Sequence, residues 1–462
     1  MSLWTAHEIA AATGGEAVGD WSADDVAFDS REAGPGTLFV ALKGETTDGH
    51  RFVPQALVQG ASGAVVDRAV EGPHVRVVDT AAALDALGRA ARARTGATVV
   101  GVTGSVGKTG TKEALWAAFD RMAEGRAHRS LKSYNNHVGV PLSLARMPRE
   151  SRFAVLEMGM NHAGELSALT RLVRPNVAIV TAIAPAHTAF FPDEEAIADA
   201  KGEIFEGLEP GGTAVVPFDS AHRDRLLAKA RRHADRVVTF GLGAGADVRA
   251  VESIRTASGG SFVTARLDGG REVSFTVAHP GEHWVSNSLA VLAAVDATGG
   301  DLGLAGLALA ELGGLPGRGR RLRVPVGGGE ALVIDESYNA NPASVRATLK
   351  VLAAEPAARR LAVLGEMREL GADSDAYHAD LADPVAEAGV ECAVLVGGGM
   401  EPLARALAGR VQTVHVPDAA QARDRLTSML APGDAVLVKG SNAIGLAAVV
   451  EAVSAPGTPC FT

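Results

Sequence analysis

The stretch "GVTGSVGKTGTKEAL", residues 101–115, decides the reading of this chain. A common phosphate-binding loop carries a glycine five positions before the Gly107 equivalent. Val102 stands there, and the nearer glycine is Gly104, so the loop reads T-G-S-V-G-K-T. The physics does not need the longer template. A strand ending at Thr103 runs through Gly104, Ser105, Val106 and Gly107, two of which are glycines that tolerate positive φ and close backbone approach. Backbone N–H groups then turn inward at a helix start, where partial positive charge collects. Lys108 adds a full charge, and the Thr109 hydroxyl is placed to touch a metal. The alternative is a glycine-rich strand-to-helix turn that contains Lys-Thr by chance.

Working outward, short apolar runs alternate with helical patterns from about residue 97 to 241: Val99–Thr103, Phe153–Gly159, Val177–Ile183, Thr213–Pro217 and Val237–Gly241. Leu115, Phe119 and Met122 give helix 110–124 a buried stripe. That alternation predicts a mostly parallel sheet covered on both faces. Residues 247–280 change character and predict a hairpin or meander around a Gly-Gly turn. "GLPGRGR", residues 314–320, marks a boundary, and a second alternating unit begins at 331. Residues 1 to about 80 mix short strands with turns, and a polar, Arg-rich helix leads from them into the loop strand. The expected fold class is α/β with three domains. Residues 1–90 form a small N-terminal α/β domain, 91–316 a central P-loop domain with a doubly wound, mostly parallel sheet, and 317–462 a Rossmann-like domain.

Of 462 residues, 47% are hydrophobic and 21% charged, an ordinary globular composition. The net charge of −10 argues against nucleic acid or an anionic membrane as main partner. An anionic ligand is left to local donors. Cys392 and Cys460, the only cysteines, show no metal-like spacing and suit a reduced compartment. No run approaches a membrane span, and the N-terminus lacks a basic signal region, so a cytoplasmic protein is expected. Nothing in the sequence demands an oligomer, and a monomer is expected.

Several residues outside the loop carry candidate chemistry. Glu157 ends a strand, at the sheet edge where open α/β sheets hold ligands. It reads either as a Mg²⁺ ligand or as a turn carboxylate. Asp335 also ends a strand, where a carboxylate commonly holds a ribose hydroxyl, with Glu336 its adjacent rival. Asn135 and Asn136 pair amides in a loop and suit a sugar or peptide substrate. Asn287 reads equally well as a helix N-cap. Lys201 reads as a solvated lysine, and Asp29 and Asp48 as turn residues.

The shortened loop resembles that of the Mur ligase family, ATP-dependent enzymes that build the peptide of the bacterial cell wall. "VAFDSREAGPGTLFVALKGETTDGHRF" (26–52), "SYNNHVGVPLSL" (133–144), "EMGMNHAGEL" (157–166), "AHTAFF" (186–191), "AKGEIFEGL" (200–208), "DESYNANPASV" (335–345) and "VLGEMRELG" (363–371) are similar to family stretches, in order. They favour the branch that joins D-Ala-D-Ala to UDP-N-acetylmuramoyl-tripeptide. The D-N-P-R stretch of the diaminopimelate- or lysine-adding sibling is not seen, and "NPAS" stands at 341–344.

The resemblance implies ATP and Mg²⁺, and an acyl phosphate formed from the substrate carboxylate. It implies that Thr103, Gly104, Ser105, Val106, Gly107, Lys108 and Thr109 hold phosphates, and that Asn287 contacts adenine. Arg318 would reach ATP from the C-terminal side, with Arg320 and Arg321 left as rivals. Asp335 or Glu336 would hold ribose, and Tyr338, Asn339 and Asn341 would border the base. The metal would be held by Thr109, Glu157, His187 and a carbamylated Lys201, with Lys108, His187 and Lys201 as the catalytic set. Ser30, Arg31, Asp48, Gly49 and His50 match stretches near the UDP moiety, and Asn135 and Asn136 would meet the nucleotide-peptide substrate. "VLVKGSN" departs from the family by ending in Asn442 where arginine is usual, and Lys439 is the candidate substitute.

Overall fold

The computed structural model describes residues 2–44, 46–185, 188–257 and 259–454; His187 and Cys460 lie outside the described residues. A nine-stranded sheet forms the middle of the molecule. Its order is Glu272–Val277, Ser261–Arg266, Val248–Arg255, Arg236–Gly241, Thr213–Pro217, Val177–Val180, Thr98–Thr103, Phe153–Glu157 and Ala127–Arg129. Neighbours from Ala127–Arg129 through Val248–Arg255 run parallel. The last pairings are antiparallel and make the expected meander, turning at Gly269 and Gly270 with φ of 76° and 78°.

Strand and helix follow from the residue pattern. The central strands are almost continuously apolar, as strands covered on both faces must be. Val100 and Val102 face one layer, with Leu115 and Phe119 of helix Lys108–Met122 and Leu289 and Leu292 of helix Glu282–Ala297. Val99 and Leu156 face the other layer, with Val140, Leu166, Ile197 and Phe205. Strands Phe153–Glu157 and Val177–Val180 stop short of the expected Gly159 and Ile183, because the chain bends into cleft loops there.

The chain leaves Thr98–Thr103 toward one side for Ala127–Arg129 and Phe153–Glu157, then crosses to the other for Val177–Val180. The carboxyl end of Thr98–Thr103 is therefore the switch point, where such sheets open a crevice.

A five-stranded sheet precedes it, ordered Glu16–Val18, His74–Arg76, Gly63–Val66, Thr37–Val40 and Asp25–Ala27, parallel except for the first pair. A six-stranded sheet follows, ordered Arg320–Val326, Gly329–Glu336, Asp434–Lys439, Arg359–Gly365, Val390–Val396 and Gln412–Val416. It too is parallel except for its first pair.

The Arg-rich helix Thr80–Ala93 is less polar in place than in sequence. Arg92 is buried and donates to the Val173 and Arg174 carbonyls at 2.8 Å each, closing the C-terminus of helix Glu165–Val173. The C-terminal sheet is tied to the central one by Glu355, which takes Arg321 at 2.5 Å and Arg255 at 3.3 Å.

Leu289 sits fully buried in the layer that backs the loop strand. Leu289→Ala is expected to cost about 2–5 kcal/mol, read as an earlier denaturant midpoint for the central unit.

Candidate active site

Strand Thr98–Thr103 delivers the chain into a turn that only glycine can make at two points. Gly104 has φ 150° and Gly107 φ 86°. A Cβ on Gly104 would stand 2.0 Å from Thr181 Oγ1, and one on Gly107 2.8 Å from Asn287 Oδ1. Thr181 is the clasp. Its hydroxyl lies 3.1 Å from the Thr103 carbonyl and 2.5 Å from the Val106 carbonyl, while Ser105 N donates to the Ala182 carbonyl at 2.7 Å. Helix Lys108–Met122 then begins without a side-chain cap, so its first N–H groups face the cleft. The Ser105 hydroxyl is buried in this turn with no hydrogen-bond partner.

Lys108 folds back and donates to the Gly104 carbonyl at 2.6 Å. Burial pushes its pKa down, Glu157 opposes that shift, and Arg318 adds to it. Thr109 donates to Glu157 Oε2 at 2.8 Å, and Asn135 Nδ2 donates to Oε1 at 2.8 Å. Glu157 is 1% exposed, and the side chains bonded to its carboxylate come from two distant stretches.

Lys201 is the larger departure from local reading. It lies in the last turn of helix Glu194–Gly202, is 1% exposed, and lines the same cleft. Burial holds its pKa well below the lysine range, and Lys108 pushes it further down. The helix is held in place by Glu203, which accepts from Gly164 N at 2.8 Å and Ser167 N at 3.2 Å.

The opposite wall comes from the C-terminal unit. Arg318 reaches Ser133 Oγ at 3.1 Å and lies 4.1 Å over the Tyr338 ring. Arg320 and Arg321 do not line the cleft; Arg321 is engaged by Glu355. Asp335 does not face the cleft either. Its carboxylate takes Gly317 N at 2.7 Å and Ser337 Oγ at 2.6 Å, fixing the turn that presents Arg318. Glu336, its neighbour, lines the cleft, with its pKa raised by burial against the pull of Lys439 3.7 Å away. Lys439 donates to the Asn339 carbonyl at 2.9 Å, and burial lowers its pKa. Asn339 and Asn341 also line the cleft; Asn341 caps helix Pro342–Ala353. Asn287 is not a helix cap, because Gly281 holds that place and Asn287 lies inside helix Glu282–Ala297, facing the loop. The whole cleft has a volume of 430 Å³.

The paired asparagines are divided. Asn135 enters the cleft, whereas Asn136 Oδ1 accepts Val138 N at 3.2 Å and Gly139 N at 2.9 Å, shaping the loop that leads into helix Gly139–Ala145. Ser30 and Arg31 lie in a turn of the N-terminal unit and Asp48, Gly49 and His50 at a short 3-10 helix beside its sheet, and none of them lines the cleft. Arg31 pairs with Asp29 at 2.5 Å. Asp48 takes His50 Nδ1 at 2.7 Å and Arg68 at 2.9 Å, and backbone and side-chain hydrogen bonds from His50 lower its pKa to about 2. Asn442 lies beside a smaller cavity with Asp335, Arg320 and Glu451. Thr181 and Ser133 were not singled out by sequence reasoning; neither carries a local signal beyond being a polar residue after a strand or before an amide pair.

No cluster of three or more His, Cys, Asp or Glu is found among the described residues. The donors gathered here are of another kind: a hydroxyl, a carboxylate and a lysine. The Glu157 carboxylate, the Thr109 hydroxyl and a buried amine beside a phosphate-type loop fit an oxygen-ligated divalent ion once the amine carries a carboxyl group. Among the described residues, no helix is long and apolar enough to cross a membrane.

Family models cover most of the chain. The Mur ligase middle domain matches residues 102–295, the Mur ligase glutamate ligase domain 320–442, and the Mur ligase family catalytic domain 24–100. The UDP-N-acetylmuramoyl-tripeptide–D-alanyl-D-alanine ligase of Escherichia coli K12 is 35% identical, covering 95% of each chain. That of Synechocystis sp. is 35% identical over 93% of this chain and 91% of its own. A crystal structure of MurF from Acinetobacter baumannii superposes with a TM-score of 0.84 at 30% identity, covering 98% of both chains. MurF from Thermotoga maritima, solved in complex with ADP, superposes with a TM-score of 0.76 at 26% identity, over 92% of this chain and 96% of its own.

Gly104→Ala is expected to abolish nucleotide binding while leaving the sheet intact, since its Cβ displaces the Thr181 clasp. Calorimetric titration with Mg-ADP should show affinity reduced by about 100-fold or more, or ~2.7 kcal/mol.

Proposed function

This chain belongs to the Mur ligase family, and from that premise we propose a reaction and a role for each wall of the cleft. The chain is an ATP-dependent ligase that adds D-Ala-D-Ala to UDP-N-acetylmuramoyl-tripeptide, releasing ADP and phosphate. One observation carries the reading: a glycine turn with Lys108 at its end meets Glu157, Thr109 and Lys201 in one cleft, closed by Arg318 from the next domain.

A carboxylate is a poor electrophile. Transfer of the γ-phosphoryl group of ATP onto it gives an acyl phosphate, and attack by the dipeptide amine then forms the amide and expels phosphate. The enzyme's part is positioning and charge neutralisation. The amides of residues 104–109 and the Lys108 ammonium hold the phosphates. Arg318 stabilises the charge from the opposite wall. Asn287 meets the adenine, and Tyr338 and Asn341 border it. Glu336, rather than Asp335, is our choice for the ribose, because it faces the cleft.

Mg²⁺, when bound, would supply positive charge that lets the substrate carboxylate approach the phosphate. Thr109, Glu157 and a carbamylated Lys201 would hold it, with His187 as the further ligand implied by the family pattern. Carbamylation needs a neutral amine: Lys201 Nζ attacks CO₂, an N–C bond forms, and a proton is released to solvent. The burial of Lys201 supports this, since a depressed pKa supplies the neutral amine at lower pH than an ordinary lysine. The N-terminal domain, about residues 1–90, would hold the UDP moiety through Ser30, Arg31, Asp48, Gly49 and His50. Asn135 and Asn136 would border the substrate, Asn136 by shaping the loop. Residues 91–316 would hold ATP, and 317–462 would bring the dipeptide, with Lys439 serving where Asn442 replaces the usual arginine. We further propose a cytoplasmic monomer.

A phosphate-release assay tests the assignment. UDP-N-acetylmuramoyl-tripeptide with D-Ala-D-Ala should support turnover, and single amino acids should not. Lys108→Ala should remove all but about 10⁻³ of that turnover with the fold retained. The sign of the pH effect on Lys201 also follows. Mild acid in CO₂-free buffer protonates the amine and drains the carbamate, so activity should fall and return with bicarbonate at neutral pH. An intact mass showing unmodified Lys201 in fully active enzyme rejects that role.

A further inference from the structure

Lys112 lies one helical turn past Lys108, is fully buried, and takes no part in the cleft. A buried ammonium is costly unless every donor is satisfied. All three donors are used. Lys112 Nζ donates to the Ser130 carbonyl at 2.9 Å and the Lys132 carbonyl at 3.1 Å, and it pairs with Glu113 Oε1 at 2.8 Å. Glu113 Oε2 in turn holds Arg129 at 2.6 Å, and the Arg129 guanidinium lies 3.4 Å over the Trp116 ring. The helix that begins at the phosphate loop therefore grips residues 129–132 from below.

Those residues lead at once into the cleft. Ser130 Oγ accepts the Glu157 N–H at 3.1 Å, and Ser130 N donates to the Val155 carbonyl at 3.1 Å. Three residues on, Ser133 Oγ accepts from Arg318; two further, Asn135 donates to the Glu157 carboxylate. The same segment meets the N-terminal domain through Glu32, which takes Lys132 and, at 2.9 Å, the Tyr134 hydroxyl. Residues 130–135 thus touch all three domains, and Lys112 is their anchor.

We propose that Lys112 is a positioning residue: through residues 130–135 it sets the orientation of the Glu157 carboxylate and of Arg318, and so the affinity of the site for the Mg-nucleotide. This rests on the reading that Glu157 and Arg318 serve that nucleotide. The helix that presents Lys108 and Thr109 to the phosphates also carries the clamp. Phosphate site and segment are therefore linked through one rigid body.

Lys112→Met keeps the bulk of the stem and removes the three donors. In the full-length protein, Mg-ADP affinity by calorimetry should fall about 10–100-fold, as for outer partners of metal ligands. Peptides spanning 131–136 should exchange backbone hydrogen faster by mass spectrometry. The decisive reading is a double-mutant cycle: Lys112→Met combined with Asn135→Ala should bind Mg-ADP little worse than the weaker single variant. Losses that multiply, or Lys112→Met with unchanged affinity and exchange, overturn the proposal. Should Lys112→Met not fold, Ser130→Ala cuts the next link, between the anchored segment and Glu157, by removing the hydroxyl that accepts the Glu157 N–H. The cycle then pairs Ser130→Ala with Asn135→Ala: losses that overlap support the proposal, and losses that multiply overturn it. If Asn135→Ala and Arg318→Ala each leave Mg-ADP affinity unchanged, the reading of the cleft itself falls.

Discussion

The turn from Thr103 to Lys108 is the constraint to which the rest of the site answers. A strand must end, reverse and start a helix within four residues, leaving its amides free to face a polyanion. Gly104 and Gly107 make the backbone path possible, but they also make it loose. Thr181, delivered by the adjacent parallel strand, removes that looseness by donating its hydroxyl to the Val106 carbonyl and its backbone N–H to the Thr103 carbonyl. Because that strand is the one beyond the switch point, the clasp exists only when the strand order is correct. Sheet topology and the shape of the loop are therefore one requirement.

Much of this was legible in the residues, and the remainder was hidden for identifiable reasons. The loop, the strand alternation and the meander are written in local pattern, and local pattern is what period and glycine placement report. Lys201 is different. Its helix is short, and it is buried at a cleft whose other walls, Lys108 and Glu157 among them, lie far away in sequence. Asp335 and Glu336 could not be ranked because strand Gly329–Glu336 is apolar toward both faces near its end, which leaves no phase to say which carboxylate turns inward. Asn287 was ambiguous because Asn favours caps, and only Gly281 starting the helix early moves it inside. Thr181 looks like any threonine at a strand end.

The segment around residue 130 shows how a three-domain ligase can keep its parts in register. A carboxylate, a phosphoryl group and an amine have to meet in one place. Glu32, Glu157 and Arg318 belong to those different domains, and all of them bind within residues 130–135. A shift of any one domain is felt by this segment, because its backbone is held by a buried ammonium with no spare donor. Surface ion pairs of similar length would carry little information of this kind, since solvent screens them and their side chains rearrange freely.

Charge explains why so acidic a chain can hold a triphosphate. Lys108, Lys201 and Lys439 border one cleft with Arg318, and burial lowers the pKa of each of the three lysines. Glu157 and Glu336 offset only part of that positive charge, and burial itself disfavours Glu336's charged form. A polyanion entering such a site stabilises the protonated lysines it meets, so binding and proton uptake are linked. Lys201 is the exception that the proposed carbamylation needs. Held next to Lys108, it is the lysine most strongly discouraged from carrying its proton, and a neutral amine is the only form that can take up CO₂. In the reading proposed above, one lysine of this cleft serves the phosphates and another offers the amine to be carbamylated. Burial lowers both, and the difference lies in their partners: Lys108 has the Gly104 carbonyl and the field of Glu157 against the repulsion of Arg318, whereas Lys201 meets the repulsion of Lys108.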